Sequence, residues 1–64
     1  MKIEMLENGK ILVEKNNVNY IIEKFRIYGT FIENYSITEE ETEYYVGEYA
    51  TLEEALLYIY KECD

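Results

Sequence analysis

The sequence predicts an α+β domain: an antiparallel β-sheet of four to five strands in a meander, with one C-terminal helix packed on a face. Three observations carry this. Asn8-Gly9 stands between two alternating apolar runs, the strongest short-range hairpin signal. The middle of the chain is rich in tyrosine and β-branched residues, which suit a pleated, half-buried surface. Thr51-Leu52-Glu53-Glu54 then opens an apolar stripe of helical period. At 64 residues the chain accommodates one domain, residues 1–64. Hydrophobic residues make up 48% of it, too many for the disordered class, and the absence of proline favours regular elements joined by short turns.

The elements follow in order. In Lys2 to Glu7, Ile3 and Met5 alternate with Lys2 and Glu4. Asn8-Gly9 predicts a two-residue type I′ turn, and Lys10 to Lys15 resumes alternation with Ile11 and Val13. Asn16-Asn17 is a second turn, because asparagine tolerates left-handed backbone. Residues 18–28 admit two patterns. Val18, Ile21, Ile22 and Phe25 fit a helical stripe, whereas Val18, Tyr20 and Ile22 followed by Phe25 and Ile27 fit a strand offset by one residue near Glu23-Lys24. The β-branched and aromatic content favours the strand, bulged or broken at 23–24. Gly29-Thr30 permits a bend. Strands are expected over Phe31 to Ile37 and Glu43 to Tyr49, with Thr38 to Thr42 as a charged turn or solvated edge. In the last strand Tyr45 and Tyr49 share a side opposite Tyr44 and Val46. The C-terminal helix is capped by Thr51, with Glu54 reaching back and both glutamates at the positive end of the dipole. Leu52, Ala55, Leu56, Ile59 and Cys63 form its buried stripe. Leu57 and Tyr58 point outward, a possible dimer or second partner face.

The residue inventory argues against catalysis. The chain has no histidine, so the usual general base and imidazole ligand are missing. Its one cysteine, Cys63, stands beside Glu62 and Asp64, whose charges raise a thiol pKa rather than activate it. A lone cysteine makes no internal disulfide, which fits a reducing compartment. Gly9, Gly29 and Gly47 are isolated, so no phosphate loop forms. Glu39-Glu40-Glu41-Thr42-Glu43 lacks the spacing of a calcium loop and reads as a solvated turn. The expectation is a protein that is not an enzyme and holds no cofactor or metal. No run of about 20 apolar residues is present for a membrane span, and Met1 to Leu6 lacks the apolar run of a signal peptide, so a cytoplasmic setting is expected.

Charge is the most informative property. Residues 1–32 are nearly neutral, with Lys2, Lys10, Lys15, Lys24 and Arg26 against four glutamates, whereas residues 33–64 hold nine glutamates and Asp64 against Lys61 alone. Such a half repels nucleic acid directly and attracts a basic surface. On an extended segment Glu39, Glu41 and Glu43 would share one face with carboxylates about 6.8 Å apart, at ~3.4 Å per residue. Glu33, Glu48, Glu53 and Glu54 would extend that surface. The array would occupy a groove built for phosphates, and the expected contact residues are Glu39, Glu40, Glu41, Glu43 and Glu48 with Tyr45 and Tyr49 as aromatic anchors.

In size, charge and fold type over the whole chain, the sequence resembles small acidic phage and mobile-element inhibitors of host nuclease immunity, the anti-CRISPR-like proteins. The likeness involves no shared motif. It implies an inhibitor that covers a basic, nucleic-acid-binding surface of a larger host protein, a nuclease or defence complex, by charge mimicry and steric occlusion in the host cytoplasm. The other reading the residues leave open is a small homodimeric or accessory protein-protein interaction module with no inhibitory role.

Overall fold

The computed structural model describes residues 1–63. It is a five-stranded antiparallel sheet in the order β1-β2-β3-β4-β5, with one helix on one face. The strands are β1 (Lys2–Met5), β2 (Ile11–Lys15), β3 (Val18–Arg26), β4 (Glu33–Glu39) and β5 (Tyr45–Tyr49), and the helix is α1 (Leu52–Glu62). Among the described residues no helix is long and apolar enough to cross a membrane.

Both early turns form, each by its own chemistry. Asn16 and Asn17 have φ of 52° and 67°, the pair of left-handed residues that a two-residue type I′ hairpin needs. The Asn8-Gly9 turn differs from the type I′ expectation: Gly9 alone is left-handed, at φ 85°. Leu6 N–H donates to the Lys10 carbonyl, Gly9 N–H donates to that of Leu6, and Asn8 Oδ1 accepts from Lys10 N–H. These bonds make a three-residue loop closed by a glycine bulge, with Asn8 held by its own side chain. At the next corner Thr30 N–H donates to the Ile27 carbonyl, and Gly29 supplies the positive φ of 79° at the third turn position.

Residues 18–26 are an unbroken strand, paired in register from Tyr20 opposite Glu39 to Arg26 opposite Glu33. No bulge occurs at 23–24. The apparent offset arises because Phe25 belongs to the other face, with Ile21 and Glu23, while Lys24 continues the face of Tyr20 and Ile22. The irregularity lies instead between β4 and β5. There Ile37 opposes Gly47 and Thr38 opposes Tyr45, leaving Val46 as the extra residue.

The core occupies one face. Ile11, Val13, Tyr20, Ile22 and Ile37 of the sheet meet Ala55 and Ile59 of the helix, all buried. Thr51 caps α1 as expected: its Oγ1 accepts from Glu54 N–H and donates to Glu54 Oε1, each at 3.1 Å. The helix packs on β4 and β5 and crosses toward the end of β2. There the Lys15 ammonium donates to the carbonyls of Ile59, Tyr60 and Cys63, satisfying orphan acceptors at the negative end of the helix dipole. Strand β1 lies beyond the helix's reach, and all four of its residues are exposed.

Candidate functional site

The helix leaves the second face of the sheet open. Cross-strand pairing places Leu12 beside Ile21, Ile21 beside Thr38, Thr38 beside Tyr45 and Ser36 beside Glu48 on that face. Strand alternation would set Tyr45 and Glu48 on opposite sides, but the extra residue Val46 brings both to the open face. Hydrogen bonding to the Glu48 carboxylate, then desolvation and the Glu48 charge, push the Tyr45 hydroxyl up to about 12.

A shallow depression of about 220 Å³ opens on this face. Ile21, Ser36 and Thr38 from β3 and β4 line it, with Lys10 and Glu23 on one side and Glu39, Glu40 and Glu43 on the other. Lys10 Nζ is 3.1 Å from Glu23 Oε2, so that flank is an internal ion pair. The opposite flank is the loop after β4. Glu39 N–H donates to the Tyr44 carbonyl and Glu40 N–H to that of Asn19, which fixes the loop against the sheet end. Glu43 is left-handed at φ 61°, a conformation unfavourable for a residue with a Cβ. Among the described residues the ion pairs are Lys2–Glu14, Lys10–Glu23 and Lys24–Glu33, so none reaches Glu39, Glu40, Glu41, Glu43 or Glu48.

The expected contact residues are thus only partly assembled. Glu40, Glu43, Tyr45 and Glu48 gather around the open face, whereas Glu39, opposite Tyr20, borders the depression through its backbone and sends its side chain to the helix face. Glu41 lies at the sheet end, where it lines a second depression with Glu39, Glu40, Asn17, Val18 and Asn19. The evenly spaced array of Glu39, Glu41 and Glu43 does not form: β4 ends at Glu39, the chain turns, and Glu43 is left-handed. The wider acidic surface is also broken. Glu33 pairs with Lys24 at 3.5 Å at the other end of β4, and Glu53 and Glu54 begin the helix beyond the far end of β5.

Tyr49 does not stand beside Tyr45. The same bulge sends it to the helix face, opposite Tyr35, where its ring lies 5.2 Å from that of Tyr58. Desolvation is the main cause of its raised pKa, with the Tyr58, Cys63 and Glu62 charges adding to it. Tyr58 is therefore a packing residue, half-buried against the core, because the Tyr49 ring reaches the flank of the helix. Of Leu57 and Tyr58, Leu57 alone is exposed. Sequence reasoning passed over Ile21, Ser36 and Thr38, which join the site only through the register of three strands.

Among the described residues no three acidic or thiol groups are placed to hold a metal ion. Comparison with protein-family models, curated proteins and solved structures finds no match for this chain.

Proposed function

We propose that this protein is a non-enzymatic binding protein whose acidic β4–β5 end docks on a basic, nucleic-acid-binding surface of a larger protein and blocks it. One observation carries the reading: Glu40 and Glu43 rim a depression with an apolar and hydroxyl floor, on the sheet face that the helix leaves open. That combination suits an arginine or lysine side chain. The methylene stem lies on Ile21 while the cationic head meets carboxylates with no internal ion pair. Tyr45, beside Thr38, offers a ring to the same cation. A basic surface that normally holds phosphates presents several such side chains at once, so nucleic acid and this protein would compete for it. The mimicry lies in a clustered loop and a pocket rather than in a regular charge ladder. An anti-defence inhibitor of a host nuclease is the setting to which this chemistry is best suited.

The test is affinity capture from bacterial lysate at low and high salt, with the wild type and a Glu39→Lys/Glu40→Lys/Glu43→Lys variant. The reading expects a nucleic-acid-binding protein that salt or heparin releases and that the variant fails to retain. Retention of the same partner by the variant, or a partner indifferent to salt, would contradict it.

A further inference from the structure

The uncovered β1 edge carries a self-complementary pattern. Leu6 N–H points into the sheet, toward the Lys10 carbonyl, so by antiparallel alternation Lys2 and Glu4 also direct their backbone groups to β2. Ile3 and Met5 then direct theirs to the free edge. On the helix side of that edge Ile3 is 52% exposed and Met5 69% exposed, with Met1 following at 54%. On the open side stand Lys2 and Glu4.

We propose that a second copy of this chain pairs with β1, antiparallel and centred on Ile3, to form a continuous ten-stranded sheet about a two-fold axis. Centring on Ile3 sets the outward backbone groups of Ile3 against those of the partner's Ile3, and Met5 against the partner's Met1. This is the hydrogen-bonded register of an antiparallel ladder. Lys2 then faces the partner's Glu4 on the open face, and Glu4 faces the partner's Lys2, so charge complementarity fixes the register. Glu4 has Leu12 opposite it within its own sheet, and Lys2 lies 3.9 Å from Glu14 with its side chain 88% exposed, which leaves both available. On the helix side the two rows of Met1, Ile3 and Met5 meet across the seam. Tyr60, held beside β2 by Lys15 at 5.8 Å from its ring centroid, extends this apolar strip on each copy.

The other edge is unsuited to the same pairing, because β5 carries the Val46 bulge and Glu48. A seam built on two four-residue strands falls below about 1,200 Å² of buried surface, the range of weak specific contacts. Dimerisation is therefore concentration dependent.

Sedimentation equilibrium of the full chain from about 10 μM to about 1 mM tests this. The wild type should show a reversible monomer–dimer equilibrium. Glu4→Lys, which leaves the β2 contacts intact, and Lys2→Glu should each raise Kd by about tenfold, because like charges then face each other at both symmetric positions. The Lys2→Glu/Glu4→Lys double variant should return Kd to about the wild-type value. Ile3→Pro, which removes an edge-facing N–H and the Ile3 side chain from the seam but no bond to β2, should leave a folded monomer. A wild type monomeric throughout the range, or a dimer indifferent to the single reversals and to Ile3→Pro, would overturn the proposal. These outcomes do not depend on the acidic end, whose reversal should leave dimerisation unchanged.

Discussion

At the scale of the residue, a few side chains do most to hold the fold. Ile59 is fully buried between helix and sheet. A chain of this length has a total stability of about 3–10 kcal/mol, and truncating a buried isoleucine costs about 2–5 kcal/mol. Ile59→Ala should therefore remove a large share of the stability and sharply lower the midpoint of the thermal transition followed by circular dichroism. Lys15 joins β2 to the helix end through three carbonyls. Lys15→Met keeps most of the stem and removes the ammonium, so a loss of about 1–3 kcal/mol in urea denaturation would report the capping bonds themselves. An unchanged midpoint would assign Lys15 a packing role only. Tyr45 supplies a pH signature. Its folded pKa of about 12 lies above the ordinary value of 10.0, so its contribution to stability is complete below pH 10 and is lost as pH rises toward 12. Tyrosinate absorbance should include a late-ionising Tyr45 hydroxyl, and Glu48→Gln should bring that component back toward 10 by removing the carboxylate acceptor and its charge.

At the scale of the element, the β4–β5 loop holds Glu43 left-handed, where a Cβ costs about 1–2 kcal/mol. Glu43→Gly should raise stability by about 1 kcal/mol in denaturant titration while weakening binding to a basic partner. A gain in stability with binding untouched would remove Glu43 from the site. The elements themselves were largely legible in the sequence, because their signals are local. Asn16-Asn17, the Thr51 cap and the Leu52-to-Cys63 stripe each act within a few residues. The type of the first turn was not legible, since Asn8-Gly9 also serves a three-residue loop and the Asn8 side chain decides between them. The bulge at Val46 was hidden as well. It is a property of pairing with β4, and it alone decides that Tyr45 faces the site while Tyr49 faces the helix. Lys15 and the helix carbonyls are more than forty residues apart, beyond any local pattern.

At the scale of the whole molecule, charge and topology are coupled. Among the described residues the ion pairs all draw their cations from β1 to β3 and the turn between β1 and β2, so the meander keeps the paired lysines away from the glutamates of the β4–β5 end. The folded chain extends only 37 × 25 × 20 Å, so this asymmetry acts over a few Debye lengths at physiological salt. Association with a basic partner should be fast and weaken at least tenfold on raising ionic strength from about 0.05 to about 0.5 M, measurable as a fall in on-rate. Pairing through β1 would leave an acidic β5 end at each extremity of the dimer, ready for two basic sites.

The most direct test of the acidic end as the binding site is an NMR titration of the labelled protein with an arginine-rich peptide at low ionic strength. The amides of Ile21, Ser36, Thr38, Glu39, Glu40, Glu43 and Tyr45 should shift together and saturably, and the shifts should collapse at about 0.5 M salt. Shifts spread evenly over Glu7, Glu53, Glu54 and Glu62, or confined to β1 and the helix, would contradict a binding site at the β4–β5 end.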